Sequence, residues 1–361
     1  MQRLKLVVEF VVGALLVIVA PFAWVDRASA EPKTVAELAA YQGPDRQKIL
    51  EEGAKKEGVV TWFTSGTVPT NVLPTIKAFN KKYPHIKVDY FRSDGRALVT
   101  RLFEEQRSGK MNADAIGHNG PFFFEGRGIT EPYYSPELVN IDEDAKRTEP
   151  GSKLPFWVGH WETCMVTMFN TNKISKADAP KTYQDLLKPI FKSKMTLPTS
   201  TTGSYFVGNV LIHQGKEYLE KLAKQDVRVQ KISGGALGSL VVAGEVPMTP
   251  ATYTSTAAAS LAKKAPVGIA FLEPVGCSLA GIMLGKNAAH PHAALLFIDF
   301  TLSKAGAEAR DPRYASPRKD MEGRGIASGK FKKFYYQLVK DPIKTQKEWN
   351  KIFVEKFVES R

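Results

Sequence analysis

Short apolar strands that run into polar loops, each followed by an amphipathic helix, recur along this chain and confine it to an α/β fold. Residues 59–63 (Val-Val-Thr-Trp-Phe) form an apolar strand that ends in Thr64, Ser65, Gly66 and Thr67, after which Leu73, Ile76 and Phe79 recur at helical spacing. Residues 86–91 alternate, with Ile86, Val88 and Tyr90 on one side and Lys87 and Asp89 on the other. Ser93, Asp94 and Gly95 make a turn and helix cap before Leu98, Leu102 and Phe103. Residues 113–116 are a further strand, and residues 34–58 read as helical with Leu38, Ile49 and Leu50 inward. The spacing predicts strands at 164–169, 195–197, 227–232, 246–248, 268–272 and 280–284, and helices at 182–187, 204–214, 236–243 and 293–302. Strand then helix, repeated, is the grammar of an open parallel sheet, and such sheets take ligands at the carboxyl ends of their strands. A last amphipathic helix over 345–358 carries Trp349, Ile352, Phe353 and Phe357 and is expected to pack on one lobe.

The first thirty residues read as an export signal. Arg3 and Lys5 precede an apolar run from 10 to 25, and Ala28-Ser29-Ala30 follows. The run is shorter than the ~20 residues of a comfortable membrane span, and it contains Pro21. No Cys follows that would carry a lipid. The expectation is cleavage after Ala30 and a soluble periplasmic protein, with an uncleaved membrane anchor as the alternative. About 330 residues then remain, more than one hydrophobic core usually supports, so two lobes are expected. The net charge of +13 falls heavily on residues 317–361, which hold twelve Lys or Arg against six Asp or Glu. It reads as a solvated basic surface, with attraction of anionic solutes as the alternative. Basic residues are not interleaved with aromatics in a nucleic-acid motif, so no nucleic-acid partner is expected.

The order of the pieces resembles the extracellular solute-binding proteins of ABC importers, in the group that holds the ferric-ion binders and relatives for organophosphates and other anions. The resemblance rests on residues 59–65, on Ala78, Phe79, Lys82, Pro84, Ile86 and Val88, and on residues 102–106 followed by Asn112, Ala113 and Asp114. It continues through residues 168–172 (Met-Phe-Asn-Thr-Asn), 180–187 (Pro-Lys-Thr-Tyr-Gln-Asp-Leu-Leu) and 293–302. The resemblance implies a two-lobed α/β periplasmic binding protein of type II, each lobe a mixed sheet flanked by helices, with the ligand cleft between them. It places lobe 1 at 31–120 plus 275–330, lobe 2 at 121–272 and C-terminal helices at 331–361. Hinge strands are then expected near 165–168 and 272–274. The only cysteines, Cys164 and Cys277, lie beside those crossings, which points to a disulfide in an oxidising compartment. The implied partner is an ABC permease in the inner membrane, the protein itself being a monomer without cofactor.

Four polar loops precede helix starts, whose unpaired N–H groups and dipole suit anions. From lobe 1 they offer Ser65, Ser93 and Arg96, with His118 at a further strand end; from lobe 2 they offer Thr202, Gly203, Ser204 and the stretch 233–235. Plain Ser or Thr capping explains any one of them. Tyr253 stands alone, in 250–255, where the ferric binders resemble a pair of adjacent tyrosines, which counts against iron. Tyr133-Tyr134 and Tyr335-Tyr336 read as packing residues, the second pair in a helix, and His290 and His292 as surface residues of a turn. No metal spacing and no catalytic motif is present, so an enzyme is not expected. The reading is capture of a small anionic solute, such as a phosphate ester, phosphonate, sugar phosphate or carboxylate. A ferric-ion carrier is the first alternative and a periplasmic hydrolase the second.

Overall fold

The apolar alternation at the start of the chain becomes three parallel strands. β1 (Val59–Thr64) pairs with β2 (Lys87–Arg92), setting Val60 beside Val88 and Trp62 beside Tyr90, and on its other edge with β3 (Ala115–His118). The computed structural model describes residues 32–93, 95–311, 314–321, 334–336 and 342–359, without the side chains of 96, 334–336, 342 and 343. The export signal expected over residues 1–30 lies outside the described residues.

Helices α1 (Val35–Ala40), α2 (Arg46–Glu57), α3 (Leu73–Lys82) and α4 (Gly95–Arg107) connect or cover these strands. The single helix expected over 34–58 is two, because Pro44 lacks an N–H and disfavours helical backbone in the residue before it. Helix α9 (Pro291–Leu302) buries ten residues in a row, Ala293 to Leu302, against this sheet. Its start is held by two carboxylates. His290 Nδ1 lies 2.8 Å from Asp114 Oδ2, and His292 Nδ1 lies 2.6 Å from Glu57 Oε1. Both histidines are therefore tied into the lobe rather than being simple surface residues.

Two long strands leave this first core and enter a second. β6 (Pro155–Asn170) and β11 (Val275–Gly285) run antiparallel, with β11 also antiparallel to β3. The far half of β6 pairs antiparallel with β9 (Met248–Tyr253) and β10 (Val267–Ala270). β4 (Thr130–Glu131) and β12 (Phe334–Tyr336) flank β11, and β5 (Lys146–Thr148) flanks β6. Tyr335 and Tyr336 thus belong to a strand parallel to β11, not to a helix. A separate parallel pair joins β7 (Thr196–Pro198) to β8 (Arg228–Gln230).

The second core gathers Phe169, Leu186, Met195, Leu197, Phe206 and Leu219, with helices α5 (Thr201–His213) and α6 (Gly215–Ala223). A neighbouring cluster of Val166, Met168, Leu237, Val241 and Ala257 holds α7 (Gly234–Ala243) and α8 (Thr254–Ala262). Helix α10 (Lys304–Ala309) follows α9, and α11 (Pro342–Phe353) sets Phe353 into the second core. Residues 121–160, assigned to lobe 2 from sequence, differ in place. Phe124, Ile129, Tyr133, Phe156 and Trp157 all pack in the first core. The cause is local: Tyr133 donates to Ile282 O of β11 at 2.9 Å, and β6 enters the sheet beside β11 from its first residues. Cys164 and Cys277 are bridged where the two long strands pass from one core to the other.

Candidate functional site

The strand ends of the first lobe are stitched into one rim. Ser65 N–H donates to Gly117 O at 2.9 Å, and Ser65 Oγ accepts from Asn119 N–H at 3.1 Å. Thr64 Oγ1 accepts from Gly66 N–H at 3.0 Å, and Ser93 N–H donates to Thr64 O at 3.2 Å. Ser65 is buried and Ser93 half-buried. These bonds bring the ends of β1, β2 and β3 together, as the sequence predicts. Arg96 falls in the first turn of α4, and its side chain lies outside the described residues.

His118 differs from its expected part as an anion donor. Its Nδ1 accepts from Gly120 N–H at 2.8 Å, so the ring proton sits on Nε2 and donates to Gly95 O at 2.9 Å. Burial holds the imidazole below the usual histidine range, and the rings of Phe123 and Phe124 stand edge-on to it. Both nitrogens are committed. His118 fixes the loop ends around Gly95 and Gly120 and does not offer itself to a ligand.

On the second lobe three helix starts converge. Helix α5 begins at Thr201 after Ser200, whose Oγ is buried with no hydrogen-bond partner among the described residues. Gly203 N–H is taken by Ser200 O at 3.0 Å, and Ser204 Oγ donates to Thr201 O at 3.1 Å. A helix start therefore offers the N–H groups of Thr201 and Thr202 rather than those of Gly203 and Ser204. Gly203 is a packing necessity: a Cβ there would lie 2.0 Å from Pro198 O and 3.2 Å from the Phe353 ring. Helix α7, capped by Ser233 Oγ on Ala236 N–H at 3.2 Å, abuts α5 so closely that a Cβ on Gly234 would meet Thr202 Oγ1 at 2.8 Å.

Tyr253 ends β9 and caps α8, and its hydroxyl shares hydrogen bonds with Ser278 and Thr202. Burial pushes its phenol up to about 12 against the pull of those two partners. One hydroxyl node thus joins α5 of the second lobe to the crossing strand β11. A second node sits alongside: Thr254 Oγ1 is 3.1 Å from Thr163 Oγ1 of β6 and accepts from Cys164 N–H at 3.1 Å. Ser278 lies three residues before Gly281, the partner of His118, so along β11 the two rims are about 10 Å apart.

A cleft of about 900 Å³ is lined by Thr67 and Thr70 from the first lobe and by Ser255 and Thr256 from the start of α8, and neither the Ser65–His118 rim nor Thr202, Gly203, Ser204 and Tyr253 is among its lining residues. Sequence reasoning missed Tyr205, Ser278 and Thr254. Tyr205 interacts with Tyr253 and is itself pushed upward by burial. Its place one turn along α5 from Thr202 was readable as helical spacing, but nothing local tied it to Tyr253. Ser278 falls outside the strand read at 280–284. Among the described residues no cluster of three His, Cys, Asp or Glu suits a metal ion.

The family model of the bacterial extracellular solute-binding proteins matches residues 119–322, more than half of the chain. No curated protein sequence matches. Among solved structures, the substrate-binding protein of an ABC transporter from Agrobacterium tumefaciens superimposes with a TM-score of 0.69 at 15% identity, over 82% of this chain and 94% of that one. Iron-bound HitA from Pseudomonas aeruginosa gives 0.66 at 18% identity, over 82% of this chain and 98% of that one. The periplasmic binding protein AfuA from Actinobacillus pleuropneumoniae, with exogenous fructose-6-phosphate bound, gives 0.61 at 18% identity, over 83% and 99%. At these identities the likeness is one of fold, the mixed-sheet architecture of type II periplasmic binding proteins.

Proposed function

The chain belongs to the bacterial extracellular solute-binding proteins, and from that membership we propose that it captures a small anionic solute between its lobes and delivers it to an ABC permease in the inner membrane. The solute is a phosphate ester, phosphonate, sugar phosphate or carboxylate. The observation that carries this reading is the Tyr253 node. A phenol pushed up to about 12 remains a neutral donor, and it stands with Thr202 at the start of α5. Hydroxyls and helix N–H groups that donate together hold an oxyanion without a counter-charge. Arg96, at the start of α4, adds charge from the other lobe. Export through a cleaved signal at 1–30 and a soluble, monomeric periplasmic protein complete the reading.

A ferric carrier is the second reading, and one observation favours it. The structure sets Tyr205 beside Tyr253, restoring the pair of phenols that the sequence lacked in tandem. Ferric ion needs both as phenolates, and burial works against ionisation at each of them. Mass spectrometry of the solute that co-purifies with the exported protein separates the two. An organic anion is expected. Stoichiometric iron with the red-brown colour of a ferric phenolate would replace the anion reading.

A further inference from the structure

The end of the chain crosses between the lobes a third time. The family match stops at residue 322, and the segment beyond it adds the strand β12 and the helix α11. Just before it, Arg318 fastens the chain to the first lobe. Its buried guanidinium donates to Leu302 O and to Glu137 Oε2, each at 2.6 Å. β12 then runs parallel to β11 at Val275–Cys277, beside the Cys164–Cys277 bridge. α11 lies against Pro121–Phe124 of the first lobe, where Phe124 belongs to the first core, and against α5 of the second.

The seat on the second lobe is closely fitted. Trp349 is buried, its ring edge-on to Tyr205 at 6.1 Å between centroids. A Cβ on Gly208 of α5 would lie 2.4 Å from the Trp349 ring, so the missing side chain is what lets the two helices approach. Phe353 and Phe357 complete the second core, and Lys356 Nζ is 3.4 Å from Glu220 Oε1 on α6. The helix held in this way, α5, is the one that brings Thr202 and Tyr205 to Tyr253.

Extended strands that cross between lobes make a hinge, because small changes in a few backbone angles turn one lobe against the other. A helix yields less. The twelve residues of α11 make a rod about 18 Å long whose backbone hydrogen bonds are internal. Seated on both sides of the hinge, it must leave one seat before the lobes can turn. We propose that β12 and α11 form a strap that restrains rotation of the lobes about the disulfide-bonded crossing. The restraint acts whatever the solute is.

Spin labels on Lys48→Cys of α2 and Lys216→Cys of α6, both exposed positions, report the distance between the lobes in the full exported chain without added solute. Lys347 is exposed on α11, so Lys347→Pro breaks the rod through its backbone and touches no core side chain. Trp349→Ala empties the seat on α5. Both should broaden the distance distribution, and Trp349→Phe, which keeps a ring in place, should bring it back towards the parent. Lys347→Gly weakens the same turn more gently and should give the same pattern at smaller amplitude, should the proline variant not fold. Amide exchange at Phe123 and Glu125, which donate to Gly120 O and Phe122 O in the first lobe, should quicken in the same variants. Faster exchange confined to α5 and α11, or a distance distribution as narrow as the parent's, makes α11 a part of the second lobe alone and overturns the strap. No solute enters the experiment, so neither result touches the anion reading.

Discussion

Cys164 on β6 and Cys277 on β11 stand directly opposite each other and are joined by a disulfide at the point where both strands leave the first core for the second. The bond ties the two crossing strands together and leaves each lobe otherwise to its own core. It closes a loop across a sequence separation of 113 residues. Neither thiol should be alkylated without reductant. The double variant Cys164→Ala/Cys277→Ala should lose about 2–5 kcal/mol of stability in denaturant unfolding. Full labelling of both thiols in the unreduced exported protein would contradict the pairing.

On the proposed reading, Tyr253 and Arg96 divide the work of holding an anion. Tyr253→Phe removes one hydroxyl and should weaken binding by about 0.5–1.5 kcal/mol, and Arg96→Ala removes a charge-assisted contact and should cost about 1.5–3 kcal/mol. The phenol is raised, so the folded protein holds its proton while the unfolded chain releases it near 10. The stability this contributes is complete below about pH 10 and is lost as the pH rises towards 12. Anion affinity should likewise show no tyrosine titration between pH 8 and about 10, as calorimetry across that range would record.

Buried neutral histidines give the acid side its slope. Burial lowers His118, and burial followed by the nearby Arg310 lowers His160 well below the ordinary value of 6.5. The unfolded chain therefore takes up protons that the folded chain refuses. Stability from these groups is whole above about pH 6.5 and falls as the pH drops below it. Melting temperatures from pH 7.5 to 5 should decline, and less steeply in His118→Ala. That variant should also start about 1–3 kcal/mol lower, because Gly95 O and Gly120 N–H lose their partner. An identical slope in the variant would remove His118 from this account.

Gly203→Ala separates packing from binding. The added Cβ would meet Pro198 O at 2.0 Å, and backbone gives way poorly, so a loss of about 1–3 kcal/mol in stability is expected. Circular dichroism melts check this, and a variant as stable as the parent would show that the contact relaxes.

The sequence displayed what periodicity can carry. β1, β2 and α9 are runs of residues with one burial preference, and local spacing reveals them. The long crossing strands were read short. β6 begins nine residues before the predicted start, through Gly159 and a bulge opposite Ala280, where alternation breaks. β9 was hidden by Pro250, which falls at the irregularity in its pairing with β6, where a missing N–H does no harm. The polar rims were legible as residue types at strand ends, but their division of labour was not. Whether Ser204 faces a ligand or its own helix, and whether His118 has a nitrogen to spare, depends on backbone atoms distant in sequence. Tyr205 and Tyr253 are 48 residues apart (253 − 205), and only the packing of α5 against β9 makes them neighbours.

The central claim is that neutral hydroxyls around Tyr253 hold an anion. Parallel calorimetric titrations of the unliganded protein with an organic phosphate and with ferric citrate, followed by visible spectroscopy, test it most directly. The predicted result is one phosphate ester bound per chain, weakened more by Arg96→Ala than by Tyr253→Phe, with no visible band. A red-brown ferric complex that Tyr253→Phe abolishes, with no response to the phosphate ester, would contradict it.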